Sequence, residues 1–334
     1  MILVTGGCGY IGSHFTIKAM EQGEEVVIID NLSNSKKEIV KKLSDITTKQ
    51  IKFIHGDIRD KDILENIFKT NQISFVAHFA GLKSLSESFQ NPDDYYSSNI
   101  DGTITLIDAM NHSGLRKLIF SSSATVYGNL HPLPWKEDLV LSTPESPYAK
   151  SKFLIENILK KKYLSDNSWR IAILRYFNPI GSHKSGLIGD NIDGENLNLI
   201  PSIIKVLLGK SPYLNIFGND FDTPDGTGVR DYIHIDDLID GHLKAFNHIE
   251  INNGLNIWNL GTGKGYSVLE ILKIFENVIG NKIPYEIKNR RKGDLSKYWA
   301  DVSKAKKDLD WFSKYGIEEM IRDSLNYIKS KVEL

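Results

Sequence analysis

The feature that most restricts how this chain can fold is the stretch TGGCGYIG at residues 5–12, set between the apolar run Ile2 to Val4 and a helical pattern. Gly7, Gly9 and Gly12 satisfy a GxGxxG spacing, and Gly6, Gly9 and Gly12 satisfy GxxGxxG. Glycines are needed in such a turn because a Cβ would hold the backbone off a pyrophosphate, whose charge otherwise meets the positive end of the following helix. A second strand-like run, Val26 to Asp30, ends in an acid 18 residues beyond Gly12, close to the spacing at which a carboxylate takes the adenine-ribose hydroxyls. Strand, turn, helix and acid in this order predict a dinucleotide site. Asp30 would repel a ribose 2′-phosphate and no arginine follows it closely, which selects NAD over NADP; the nearby cations Lys36 and Lys37 read as solvated.

The same rhythm continues. The runs Ile51 to Ile54, Phe75 to Phe79, Leu118 to Ser122 and Ile171 to Tyr176 alternate with longer helical patterns, which predicts an α/β fold built on a doubly wound parallel sheet of Rossmann type. The loops His55-Gly-Asp57-Ile58 and His78-Phe79-Ala80-Gly81 fall at carboxyl ends of strands, where this architecture places its ligand. A chain of 334 residues suggests about two domains. Beyond Asn178 the texture turns rich in loops, so a dinucleotide-binding domain is expected over 1–177 and a smaller mixed α/β substrate domain over 178–334. One late run, Leu255 to Leu260, followed by Gly261-Thr-Gly263, reads as a strand that returns to the first sheet, so 234–263 is expected to rejoin it.

Residues 146–152 read SPYAKSK. Ser146 suits a helix cap and Pro147 the first helical position, which puts Tyr148 in the first turn and Lys152 four residues on, along the same face. A tyrosine with a reference pKa near 10 needs roughly 4 kcal/mol of preferential phenolate stabilisation to act as a base near neutrality. Lys152, the positive helix end and an NAD⁺ ring are the expected sources. The run Ser121-Ser-Ser123-Ala-Thr125-Val-Tyr127-Gly follows the apolar strand and brings hydroxyls to the same edge.

Composition removes other classes. Lysine plus arginine (41) nearly balances aspartate plus glutamate (42), so no overall field favours nucleic acid or an anionic membrane. A single cysteine, Cys8, permits no intrachain disulfide and fits a reducing, cytoplasmic setting. Met1 leads straight into the apolar run, which predicts no secretory leader, and no stretch is apolar enough to span a bilayer. The nine histidines are dispersed without ligand spacing, so no metal site is expected. The lysine-rich Lys36 to Lys42 reads as a solvated helix face.

The blocks TGGCGYIGSH, DNLSNS, HFAGLKS, FSSSATVYG, SPYAKSK, LRYFNPIG, IFGND, DGTGVRDYIH and RRKGDLSKYWAD run in order through nearly the whole chain. In them the sequence resembles the UDP-glucose 4-epimerases of the extended short-chain dehydrogenase/reductase superfamily. The resemblance implies an isomerase that interconverts UDP-galactose and UDP-glucose. A C4 hydride passes to NAD, a 4-keto sugar rotates, and the hydride returns to its other face. It implies that Ser123 and Tyr148 contact the 4-hydroxyl, that Tyr148 is the base, and that Lys152 tunes it. Implied NAD contacts are Gly6, Gly9, Tyr10, Ile11, Gly12, Asp30, Asn31, Leu32, Ser33, Asn34, Ser35, Asp57, Ile58, Phe79, Ala80, Gly81, Leu82, Lys83, Asn99, Tyr148, Lys152 and Phe177. Ser98 stands where relatives commonly carry asparagine, which sets that contact apart. Around the UDP-sugar the resemblance places Ser123, Tyr148, Asn178, Asn198, Leu199, Asn215, Phe217, Arg230, Arg291, Asp294 and Tyr298. Tyr298 is the position expected to limit pocket size and exclude N-acetylated sugars. Two arginines suit a diphosphate because forked, charge-assisted contacts match phosphate oxygens.

The nearest rival is a nucleotide-sugar 4,6-dehydratase, which typically carries an Asp-Glu pair where this chain has Ala124 and Thr125. A regulatory NAD-sensing protein on the same fold would usually lack the tyrosine–lysine pair. The resemblance further implies a homodimer paired through the helical patterns from about Pro92 to His112 and Pro147 to Lys162.

Overall fold

The computed structural model describes residues 1–129, 132–194 and 198–329. Its strands are β1 (Ile2–Thr5), β2 (Val26–Asp30), β3 (Lys52–His55), β4 (Phe75–His78), β5 (Lys117–Ser123), β6 (Arg170–Tyr176), β7 (Asn178–Ile180), β8 (Leu214–Phe217), β9 (Val229–His234), β10 (Gly254–Leu260), β11 (Gly265–Ser267), β12 (Tyr285–Lys288) and β13 (Lys297–Tyr298). The first-sheet strands lie within a residue of the runs read from sequence. Both faces of β1, β2 and β4 are buried, which is why they are almost wholly apolar, as strands sandwiched between helices must be.

Seven strands form one parallel sheet in the order β10-β6-β5-β4-β1-β2-β3. The chain builds outward from β1 to β3, then crosses back to place β4 on the other side of β1. The strand order therefore reverses between β1 and β4, and the crevice at their carboxyl ends is where such sheets bind ligands. Two apolar layers cover the sheet. One joins Phe15 and Ile17 of the helix Tyr10–Glu21 to Leu238, Ile239 and Phe246 of the helix Ile235–Ile251. The other joins Leu64, Leu106, Met110, Ile155 and Trp169.

The remaining strands form a small sheet, in which β9 pairs with β7, β11 and β13, and a parallel β8–β12 pair. Ile203, Leu214, Tyr232, Phe275 and Ile321 make up their core. The late strand β10 pairs with β6 of the large sheet, so the chain enters the small sheet at β7 and returns before β11.

The stretch from about Pro92 to His112 is helical throughout: Pro92–Tyr95 is α-helical, Tyr96–Asp101 is a wider π-helical turn, and α-helix resumes over Gly102–His112. The lysine stretch is largely solvated, with Lys36, Lys37 and Lys41 exposed. The helix starts at Glu38, Lys36 pairs with Asp193 at 3.2 Å, and Lys42 donates to the Leu187 carbonyl at 3.1 Å. These lysines reach the segment after β7, which sequence spacing could not reveal.

Burial also sets a pH dependence. His14 and His78 are held down to about 3 and His242 to about 4, chiefly because burial disfavours the imidazolium. Buried Asp231 is pushed up to about 6, mainly by desolvation. Near pH 5 the unfolded chain binds a proton at each of these three histidines, whereas the folded chain binds one at Asp231. The difference is three minus one. The histidine contribution is complete above the unfolded histidine pKa and is lost as pH falls; the Asp231 contribution has the opposite sign. Stability is expected to fall on acidification by roughly 3 kcal/mol per pH unit near pH 5 from these four groups. Urea titrations at pH 7 and 5 check the sign.

Candidate active site

The turn at residues 5–12 is shaped by close approach. Gly6 has a φ of +69°, and a Cβ there would lie 2.7 Å from the Ala80 nitrogen. A Cβ on Gly12 would lie 2.3 Å from the Gly6 carbonyl, whereas one on Gly9 meets nothing nearer than that carbonyl at 3.3 Å. Gly6 and Gly12 thus close the turn, while Gly9 keeps the space above the helix clear. The helix Tyr10–Glu21 starts there with no side-chain cap and no acid in its first turn, leaving its positive end for an anion. A Gly12→Ala variant is expected to purify with less than about a tenth of the wild-type bound nucleotide. Absorbance of the protein-free extract after denaturation measures it.

Asp30 ends β2 beside the glycine turn. Its carboxylate accepts from the Cys8 nitrogen at 2.9 Å, the Leu32 nitrogen at 2.8 Å and the Ser35 hydroxyl at 3.0 Å, so it ties the glycine turn to the β2 exit. Leu32 is drawn to a φ of +60° beside it. Asn31 donates to Asp57 at 2.8 Å, and the forked Arg59 contact holds the Asp57 carboxyl well below the usual range. Ser33 and Asn34 lie exposed on the same exit loop, and Ile58 is buried against Gly102. These groups suit an adenine-ribose and a pyrophosphate, so the chain fits a dinucleotide.

At the β4 exit, Asn99 rather than Ser98 is the ordering group. It is buried, accepts from the Leu82 nitrogen at 2.8 Å, and donates to the Leu82 carbonyl at 3.1 Å and the Ser151 hydroxyl at 3.0 Å. The π-helical turn aims Asn99 inward and leaves Ser98 half-buried beside it. Gly81, at a φ of +152°, packs within 2.9 Å of the Asn99 oxygen if given a Cβ. The Phe79 ring turns into the core against Phe15 and His242, so this residue offers the crevice its backbone. Lys83 pairs with Asp190 at 3.1 Å, and Tyr10 donates to the Gly181 carbonyl at 2.8 Å. Both lace the crevice to the segment after β7.

The helix Pro147–Ser165 starts as its sequence predicts, with the Ser146 hydroxyl accepting from the Ala149 nitrogen at 3.2 Å and Pro147 in the first turn. Tyr148 sits in the first turn of this helix, near Ser123 at the end of β5, whose hydroxyl favours its phenolate. The Ser123 hydroxyl accepts from Thr125, at 3.2 Å from its nitrogen and 3.0 Å from its hydroxyl. Lys152 donates to the Ser121 carbonyl at 2.8 Å, and burial brings its ammonium down to about 8. Burial raises the Tyr148 pKa, and the nearby Ser123 hydroxyl works against this. The phenol therefore rests neutral and needs added positive charge to release its proton.

Beneath this pair lies a buried network that sequence reading missed. Glu156, four residues beyond Lys152, takes a forked contact from Arg175 at 2.9 and 2.7 Å and a bond from Ser122 at 2.7 Å. Strands β5 and β6 thus fix the helix that carries Tyr148. The spacing of Glu156 on the Lys152 face was the available signal.

Across the crevice, Asn178 donates to the Asp231 carbonyl at 2.8 Å, and the Tyr298 hydroxyl donates to Asn178 at 3.4 Å. Arg230 lies 4.7 Å from the Tyr298 ring centre, and Phe177 is 5.9 Å from it. Asp231 accepts from Thr262, Gly263 and Ala300 at 2.6–3.1 Å, binding the small sheet to the β10 exit beside Arg230. Arg291 is paired with Asp294 at 2.8 Å and lies 4.8 Å from the ring of Phe217. Asn215 shares the exposed side of β8 with Phe217. Asn198 and Leu199 open the helix ending at Leu207, with Asn198 exposed and providing no side-chain cap.

A parallel sheet with a glycine-rich first turn and a serine–tyrosine–lysine grouping at its carboxyl edge defines the extended short-chain dehydrogenase/reductase class. The family model described as GDP-mannose 4,6 dehydratase matches residues 3–324. The chain is 48% identical to the UDP-glucose 4-epimerase of Pasteurella multocida over 98% of its length and 97% of that protein's. It is 46% identical to that of Bacillus subtilis over 99% and 97%. The crystal structure of UDP-glucose 4-epimerase from Bifidobacterium longum in complex with NAD⁺ and UDP superposes with a TM-score of 0.96 at 44% identity, covering 99% of this chain and 98% of that one. The chain belongs to the UDP-glucose 4-epimerase family. Among its described residues, no helix is long and apolar enough to cross a membrane.

Proposed function

We propose that this chain interconverts UDP-galactose and UDP-glucose through a 4-keto sugar, with Tyr148 as the base. The observation that carries the reading is the convergence of Ser123, Tyr148 and Lys152 at the carboxyl edge, facing Tyr298 and Arg230 across the crevice. Bound NAD⁺ supplies the hydride acceptor and a positively charged ring. Tyr148 takes the proton from the 4-hydroxyl, and Ser123 holds that oxygen in line. Lys152, docked on the Ser121 carbonyl, orients the nicotinamide ribose and adds positive charge near the phenol. Arg230 and Arg291 hold the diphosphate while the flat ketone turns about that link. Tyr148 then returns its proton to the product oxygen. The other UDP-sugar contacts are Asn178, Asn198, Leu199, Asn215, Phe217 and Asp294.

A dehydratase reading is favoured by the description of the family model alone. Where the elimination needs an acid and a base, Ala124 has neither and the Thr125 hydroxyl is bonded to Ser123. We further propose a cytoplasmic homodimer. The lone, buried cysteine suits a reducing compartment, and Ile104 and Leu164 are exposed apolar residues on the helices expected to pair.

Interconversion is tested with UDP-galactose deuterated at C4. The label is expected to remain at C4 in UDP-glucose, and washout into water contradicts direct hydride return.

A further inference from the structure

We propose that Trp135 helps decide which sugars enter the pocket, by holding the Tyr298 ring in place. The proposal rests on the reading of Tyr298 as the residue that limits pocket size. Trp135 and Tyr298 stack almost parallel, with centroids 5.2 Å apart and planes 4° apart. Tyr127 stacks on Trp135 in turn at 5.0 Å, and the Arg175 guanidinium lies 4.8 Å from the Tyr127 ring centre. Four groups thus form one pile, Arg175, Tyr127, Trp135 and Tyr298, rooted in the buried Arg175–Glu156 pair.

Trp135 is 2% exposed. Its backbone donates to the Trp299 carbonyl at 3.0 Å and accepts from the Asp301 nitrogen at 2.8 Å, so it is bound to the segment that carries Tyr298. A bulkier sugar substituent requires the Tyr298 ring to retreat. That ring meets Trp135, and Trp135 meets Tyr127, whose hydroxyl is tied to Asn259 at 2.7 Å. In a close-packed interior such a pile does not yield without repacking. Trp135 is a positioning residue, acting on the sugar through Tyr298.

The test is the ratio of kcat/KM for UDP-N-acetylgalactosamine to that for UDP-galactose. UDP is common to both, so any loss of diphosphate anchoring cancels. Tyr298→Cys is expected to raise the ratio at least about tenfold, and Trp135→Leu about tenfold. Trp135→Phe, which keeps a stacking ring, is expected to stay within about twofold of wild type. Adding Trp135→Leu to Tyr298→Cys is expected to give little further change, because both act on one ring. An unmoved ratio in Tyr298→Cys sinks the reading of Tyr298. A raised ratio there with folded Trp135→Leu unchanged overturns the role of Trp135 alone. If Trp135→Leu does not fold, Trp135→His is used instead; its smaller ring is expected to give about a fivefold rise, and no rise overturns the proposal.

Discussion

A Tyr148→Phe variant is expected to lose about 10²–10⁴-fold in kcat for conversion of UDP-galactose, the range that a positioned acid–base group contributes, while keeping its nucleotide. The ring stays, so its packing against Tyr95 at 6.4 Å and the docking of Lys152 on Ser121 are retained. What is lost is the phenolic oxygen alone. Because that oxygen acts in the transition state, kcat and kcat/KM fall together. Steady-state kinetics and nucleotide release on denaturation read the two halves separately. Undiminished turnover would remove Tyr148 from the chemistry.

The second large effect concerns stability. Arg175→Leu leaves Glu156 charged and uncompensated in the core, where both residues of the pair are at most 1% exposed. Breaking such a pair from one side costs about 3–5 kcal/mol, to be read as a lower urea midpoint. Replacing both, in Arg175→Leu with Glu156→Leu, is expected to recover much of that loss, since the buried charge goes with its partner. A single variant as stable as wild type would mean that the network is not what anchors the helix Pro147–Ser165. Glu156 lies on the same helix as Tyr148 and Lys152, so reduced turnover is expected even where Arg175→Leu folds.

The parts legible in the sequence are those with short-range causes. The apolar runs of the large sheet predict its strands to within a residue, because strands buried on both faces admit little but apolar side chains. Ser146, Pro147, Tyr148 and Lys152 follow from cap chemistry and helical spacing alone. The Pro92 to His112 stretch is helical as read, but residue types do not mark the π-helical turn at Tyr96–Asp101. That turn changes which side chain points inward, here Asn99. The contacts of Lys36 and Lys42 were not legible because their partners, Asp193 and Leu187, lie about 150 residues away.

The sequence by itself determined the glycine turn, the acid closing β2, and the phenol and ammonium on one helical face, since each depends on neighbours within a few turns of chain. Only the tertiary structure decided that the Tyr148 phenol is pushed above its ordinary range, because desolvation depends on everything packed around it. The same holds for Asp231, which binds the small sheet to the β10 exit, and for Trp135, which stacks beneath Tyr298. Their partners are distant in sequence and meet only when the two sheets have packed.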